Sequence, residues 1–407
     1  GPVLSAHEQT VSRRSVAMLG SEAPIHRQDE APARLVGGVA HVDLHRGDAE
    51  QVLRGLEPRS IDAVVTDPPF GLVRGRRPEE ILRAWLADRP PTSGAGGYAG
   101  QAWDVLPGPS LWKAVLRVLR PGGFVAAFGH QRTVDLLAVA ARVGGFEIAD
   151  QLTWIHGNGF PRPHTRALDI DEDVAASLKP ASVPILLARA PFDGTVAEMY
   201  AAHGTGLLRL ERTRTPAGRH PANVLLSHEP GCADDACAPS CPVAMLDAQS
   251  GRLKARGNRN PTRSGGGSGA SAPSRSVVAD HGPGDAGGAS RFFYVARPSK
   301  SERNAGLTDG QTNPHPSPKP VALMRWLVQL LCPPCGVVLD PFIGSGTTAV
   351  AAAEAGMNCI GIDLDDDGLY LPVAVARARH AGADVRLHAG SGGEAPNASL
   401  EDVEPDG

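Results

Sequence analysis

The chain of 407 residues is 42% hydrophobic and 21% charged, the makeup of a globular protein rather than a disordered or fibrous one. Its longest apolar run, 321–331, contains Arg325 and is too short to span a bilayer, and no charged segment followed by an apolar stretch opens the chain, so a cytoplasmic protein with no membrane partner is expected. The net charge of −4 does not announce a nucleic-acid binder, yet residues 151–330 hold 20 Lys and Arg against 15 Asp and Glu, which makes the middle of the chain the better candidate for phosphate contact.

Residues 1–37 are polar without a sustained period and read as a flexible leader. The patterning then predicts a strand at 41–44, a helix at 49–56 and a β-branched strand at 61–65 that runs into Asp67. A helical piece at 79–87 lies in a loop-rich stretch. An amphipathic helix at 111–119 is expected to stop at Pro121-Gly122-Gly123, ahead of a strand at 124–128. A helix at 133–143 and a strand at 146–155 follow. This alternation implies βαβ units and a mostly parallel sheet. It breaks near Gly157. Residues 157–314 offer scattered strand pieces at 183–187, 223–226 and 292–295, and the Gly/Ser/Pro/Arg-rich stretch 250–290 reads as a disordered loop. The rhythm resumes with a helix at 321–331, a strand at 337–339, a helix at 347–355 and a strand at 359–362, and residues 384–407 read as an acidic, flexible tail. The layout is one α/β domain in two halves, 38–156 and 315–383, interrupted by the insert 157–314.

Asp340-Pro341-Phe342-Ile343-Gly344-Ser345-Gly346-Thr347-Thr348 follows a strand and opens a helix. Its glycines let a ligand approach the backbone above a helix N-terminus. Gly344, Gly346 and Ala349 also satisfy the G-x-G-x-x-G/A dinucleotide pattern. Asp363 ends the next strand, where an acid can hydrogen-bond ribose hydroxyls. Taken alone, this motif suits an NAD-dependent oxidoreductase as well as an S-adenosylmethionine-dependent transferase.

Asp67-Pro68-Pro69-Phe70 separates the two. The exocyclic amine of adenine or cytosine is a poor nucleophile, because its lone pair is delocalised into the ring. A carboxylate at Asp67 and a carbonyl at Pro68 accepting both amine hydrogens would draw the nitrogen towards tetrahedral geometry. Pro68 and Pro69 stiffen the turn, so the acceptors are preorganised, and Phe70 offers a face for the base. A base inside a duplex cannot reach such a pocket and has to be flipped out. The plainer reading is a strand-ending turn.

The tetrapeptide placed before the glycine loop, with an insert between them, resembles the β-class of S-adenosylmethionine-dependent DNA amino-methyltransferases. His315-Pro316-Ser317-Pro318-Lys319-Pro320 resembles that family's cofactor-loop segment. Gly100 with Trp103-Asp104, Leu119 to Gly123, Trp154 to Pro161, Leu178-Lys179-Pro180 with Pro184-Ile185, and Ser290 to Val295 resemble its phage and prophage branch. The resemblance implies a doubly wound, mostly parallel seven-stranded Rossmann-like sheet with helices on both faces, and double-stranded DNA as partner, with room for a homodimer. It also implies a catalytic set of Asp67, Pro68, Pro69 and Phe70. Asp340, Phe342, Gly344, Ser345, Gly346, Thr347, Asp363, His315 and Lys319 would serve S-adenosylmethionine. Asp48 would lie near its adenine or act as a helix N-cap; Lys319 has the alternative of a solvated loop charge. Asp rather than Ser before the two prolines favours adenine N6 over cytosine N4. An inactive DNA-binding homologue is the remaining alternative.

In the insert, Arg212, Arg214, Arg219, Arg252, Lys254, Arg256 and Arg259 are candidates for DNA phosphates and guanine edges, or a solvated basic loop. His228, Cys232, Cys237 and Cys241 place one imidazole and three thiols within 14 residues. That set can close a tetrahedral zinc site; buried free thiols are the other reading. Cys332-Pro333-Pro334-Cys335 is expected to be plain thiols, and Trp154 and Trp326 core residues.

Overall fold

A computed structural model describes residues 38–72, 77–89, 104–157, 174–175, 177–233, 236–254, 285–299, 301–308 and 310–388. The expected leader 1–37, most of the 250–290 loop with Arg256 and Arg259, and the tail beyond 388 lie outside the described residues, as do Gly100 and Trp103.

In chain order the elements are β1 (His41–Arg46), α1 (Ala49–Gly55), β2 (Ile61–Thr66), α2 (Pro78–Leu86), α3 (Pro109–Val118), β3 (Leu119–Phe128), α4 (Val134–Val143) and β4 (Glu147–Ile155). Then come β5 (Ser182–Arg189), α5 (Val196–His203), β6 (Val224–Ser227), α6 (Pro242–Ser250), β7 (Leu253–Lys254), β8 (Ala286–Gly287) and β9 (Tyr294–Ala296). α7 (Val321–Leu331), β10 (Val337–Asp340), α8 (Thr347–Glu354), β11 (Asn358–Asp363), α9 (Leu371–His380) and β12 (Asp384–His388) complete the chain.

Among the described residues the main sheet has ten strands in the order β12-β1-β11-β10-β2-β3-β5-β4-β6-β9, and β7 pairs with β8 apart from it. β5 is antiparallel to both β3 and β4, while the other neighbouring pairs are parallel. The α/β class matches the expectation; the strand count of seven does not. β12 extends one edge, and β6 and β9, from the insert, extend the other. The insert is thus continuous with the sheet, and β5 lies well inside it between β3 and β4. The alternation breaks there because β5 runs antiparallel to both β3 and β4, so the βαβ rhythm of a parallel sheet is interrupted.

β2 is buried along its whole length, as a central strand covered on both faces must be. Ala63 and Val65 pack with Leu323, Leu327 and Ala351 of α7 and α8 on one face. Val64 packs with Val115 and Leu137 of α3 and α4 on the other. The polar Asp62 within β2 is tolerated because it accepts the Val337 N–H at 2.9 Å and pairs with Arg120 at 3.2 Å. Trp154 and Trp326 are buried in the core.

Two boundaries differ from expectation. α3 ends at Val118 and β3 begins at Leu119, running through Pro121-Gly122-Gly123. The sheet admits this by a register shift: Leu119 pairs with Ile61 but Phe124 with Ala63. Gly122 takes φ +73°, and a side chain there would collide with Met199 of α5. Residues 384–388 form strand β12 on β1 rather than part of a tail.

Candidate active site

β10 and β2 are neighbours, and the chain leaves β2 towards β3 on one side and β10 towards β11 on the other. This is the switch point of a doubly wound sheet, where a crevice opens beyond the carboxyl ends of the strands. A cleft of about 2070 Å³ lies there, and its walls include Asp48, Asp67, Phe70, Lys179, His315, Lys319, Phe342, Gly344, Asp363 and Tyr370. The tetrapeptide and the glycine loop, more than 270 residues apart in sequence, therefore share one cavity.

On the glycine-loop side, Asp340 is fully buried beneath the turn. Its carboxylate accepts Thr66 Oγ1 at 2.6 Å, Thr348 Oγ1 at 2.5 Å and the Phe342 N–H at 3.0 Å. Burial, against those hydrogen bonds, raises its pKa to about 6. Asp340 thus holds the loop from below rather than facing the cleft, whereas Pro341, Phe342 and Gly344 line it. Gly344 and Gly346 have φ of +50° and +82°, the left-handed region that glycine occupies without strain. The Gly344 N–H donates to Asp363 Oδ2 at 2.9 Å and the Asp365 N–H to Oδ1 at 3.0 Å. Burial pushes the Asp363 carboxyl up. Ser345 and Thr347 point away from the cavity to a buried Arg377, which donates to the Ser345 carbonyl at 2.7 Å and to Thr347 Oγ1 at 3.2 Å. Ser345 Oγ also accepts Asn313 Nδ2 at 3.0 Å. Asp48 caps α1 through the Gln51 N–H at 3.0 Å, as one of its readings has it, and it also lines the cleft.

His315 roofs the loop: an added Cβ on Gly344 would come within 2.9 Å of its Nε2. Burial, with Lys319 and Arg303 nearby, lowers its pKa to about 4. The ring is neutral at ordinary pH, and its Nδ1 accepts the Ser317 N–H at 3.3 Å.

On the tetrapeptide side, Lys319 reaches across and pairs with Asp67 Oδ2. Its ammonium sits 5.6 Å from the Phe70 ring centre and 5.2 Å from that of Phe128, within cation–π range. Lys319 is therefore not a solvated loop charge; its side chain is 9% exposed. Among the described residues, Asp67 Oδ1 is buried with no hydrogen-bond partner. The turn is held in place by Thr133 Oγ1, which donates to the Phe70 carbonyl at 2.8 Å, and by buried Asp104, which accepts the Gly71 and Leu72 N–H groups at 2.8 and 2.9 Å. His130 packs beside Phe70, with ring centres 6.1 Å apart.

Sequence reasoning missed Arg377, Asn313 and Thr133 as supports of the site. No local pattern marks them, since each acts on a partner far away in sequence. In the insert, Arg219 is turned inward and clamps Asp285 at 2.8 and 3.0 Å, and Arg214 holds Glu211 and the Gly218 carbonyl. Arg212, Arg252 and Lys254 are exposed. His228, Cys232, Cys237 and Cys241 do converge, with their ligand atoms within 4.8 Å of one another. Cys332 is buried and Cys335 half-buried, both outside the His228 cluster.

A family model described as DNA methylase, covering N6 and N4 methyltransferases, matches residues 61–371. M.ScaI, a type II methyltransferase of Streptomyces caespitosus, is 41% identical over 63 residues, 16% of this chain and 20% of that protein. YubD of Escherichia coli (strain K12) is 42% identical over 73 residues, 17% of this chain and 32% of its own length. The chain thus spans about a third or less of the length of these two relatives. Among solved structures, the M1.HpyAVI–SAM complex is similar with a TM-score of 0.40 at 15% identity, over 83% of this chain and 98% of that one. PvuII DNA methyltransferase (cytosine-N4-specific) is similar with a TM-score of 0.41 at 14% identity, over 86% and 98%.

Proposed function

Since this chain belongs to the DNA methylase family of N6 and N4 methyltransferases, we propose that it moves a methyl group from S-adenosylmethionine to the exocyclic amine of a base flipped out of double-stranded DNA, adenine N6 in preference to cytosine N4. The observation that carries this reading is Asp67 Oδ1: a buried carboxylate oxygen without a partner among the described residues, in the same cleft as the glycine loop. A buried acceptor left unpaired is costly, and an amine N–H arriving there would satisfy it.

The donor set suits the cofactor. Phe342 and Tyr370 give apolar walls, and Asp363 and Asp48 give carboxylates for hydroxyls and a positively charged ligand. When bound, S-adenosylmethionine supplies a methyl group activated by its sulfonium. Asp67 Oδ1 accepts one amine hydrogen and the Pro68 carbonyl the other, which localises the lone pair on nitrogen. Lys319 pins the second carboxylate oxygen, so Asp67 cannot rotate away. Phe70, steadied by Thr133 and Asp104, stacks against the base. Preorganised acceptors of this kind contribute on the order of 10²–10³-fold in rate. The preference for adenine rests on Asp rather than Ser at position 67. The exposed Arg212, Arg252 and Lys254 of the insert are assigned to phosphate contact.

Plasmid DNA from cells expressing the chain, read by long-read sequencing, is expected to carry N6-methyladenine in one sequence context, lost with Asp67→Ala. N4-methylcytosine would correct the base. A wild type that binds S-adenosylmethionine in calorimetry yet methylates no DNA would overturn the activity.

A further inference from the structure

A second group of reactive side chains gathers outside the cleft, where β6 leaves the sheet. His228 is the first residue after β6, anchored by its N–H to the Ala296 carbonyl of β9 at 2.9 Å. Cys241 is the N-cap of α6. Between them the chain doubles back through two tight turns, with the Cys232 N–H bonded to the Glu229 carbonyl at 3.0 Å and the Cys241 N–H to that of Ala238 at 2.9 Å. These turns bring Cys232 and Cys237 to the same point. His228 Nδ1 lies 3.3 Å from Cys241 Sγ and 3.5 Å from Cys237 Sγ, and all four donor atoms fall within 4.8 Å of one another.

We propose that His228, Cys232, Cys237 and Cys241 bind one structural zinc ion. Tetrahedral zinc, with bonds of about 2.3 Å to sulfur and 2.0–2.1 Å to nitrogen, sets its donors about 3.6–3.8 Å apart; here two separations are 3.3 and 3.5 Å and none exceeds 4.8 Å, so shifts of about 1 Å or less would close the set around an ion. The set is complete with four protein ligands and leaves no open position, so the ion is structural rather than catalytic. The Ala238 N–H already points at Cys232 Sγ from 3.3 Å, the kind of outer hydrogen bond that orients a thiolate ligand. The local core gives the reason for a metal. Among the described residues, the cluster beneath this loop fully buries Leu226, Cys241 and Val243, with residues such as Ile155, Leu246, Phe293 and Val295 partly buried against them, a small core that a metal ion would reinforce. The ion would tie the 228–241 loop to β6 and α6 on the side of the sheet where β2 ends in Asp67, because β6 runs parallel to β4 and β4 runs in the same sense as β3 and β2. The proposal does not depend on methyl transfer.

The test is metal analysis of the full chain, purified without chelator, together with the absorption spectrum of the cobalt-substituted protein. Stoichiometric zinc and an intense tetrahedral cobalt spectrum with thiolate charge-transfer bands are expected. Cys237→Ser, at the exposed ligand, abolishes both, while Cys335→Ser leaves both intact. The cobalt spectrum of the wild type needs no variant, so a variant that fails to fold does not decide the matter. Absence of stoichiometric zinc with the three thiols reduced, an octahedral cobalt spectrum, or a disulfide within the cluster would each overturn the site.

Discussion

Asp67 has two carboxylate oxygens in different situations: Oδ2 is held by Lys319, and Oδ1 is buried and, among the described residues, unbonded. Replacing Lys319 by Met keeps the apolar stem between Phe70 and Phe128 but frees the carboxylate to turn. We expect kcat to fall about 10²-fold or more, and the melting temperature to fall too because Asp67 loses its buried partner; methyl-transfer kinetics beside thermal melts check this. His315 carries a second expectation. Its pKa falls from 6.5 in the unfolded chain to about 4 in the fold. Between those values the unfolded chain binds the extra proton, so stability rises with pH across the window and is lost as pH drops through it, by up to about 3 kcal/mol. Asp340, raised from 3.8 to about 6, acts in the opposite sense below pH 6. His315→Gln removes only the first contribution. The advantage of wild type over this variant should therefore shrink on acidification from pH 7 to pH 4.5, read as the difference between their melting temperatures. The cleft residues that could be read from the sequence were those in short motifs: Asp67, Phe70, Gly344 and Asp363. Arg377 and Asn313 could not be read, because a buried polar residue announces itself only once its distant partner is known.

At the scale of elements, the site depends on how closely α9 approaches the start of α8. A Cβ built on Gly346 would lie 2.7 Å from the Cα of Ala374, at φ +82°. Gly346→Val should push α8 off α9, cost about 2 kcal/mol or more in urea unfolding, and weaken S-adenosylmethionine binding measured by calorimetry. Neither α9 nor β12 stood out in the sequence. α9 begins after the loop-like run Asp365-Asp366-Asp367-Gly368 and mixes small residues with Arg377 and Arg379, so its apolar face is narrow. β12 is an edge strand with one buried residue, Val385. The long apolar helix α7 and the β-branched strands β2 and β10 were legible because their burial is written as continuous hydrophobic runs.

For the whole molecule, the insert and the two flanking segments share one core. Trp154, Leu225 and Ala296 belong to the same buried cluster as Val65, Leu327 and Cys359. Urea unfolding followed by tryptophan fluorescence and by far-UV circular dichroism should therefore give one coincident transition; two separated transitions would mark the insert as an independent unit. The strand order has a further effect, on timing. β1 and β2 are close in sequence, yet β10 and β11 stand between them in the sheet. While a ribosome is still translating the region before residue 337, the growing chain holds the Asp67 turn beside a two-strand gap and has no glycine loop to face it. Such pairing between segments far apart in the chain is slow to close, so the cleft between β2 and β10 is completed only after most of the chain up to β11 has been made.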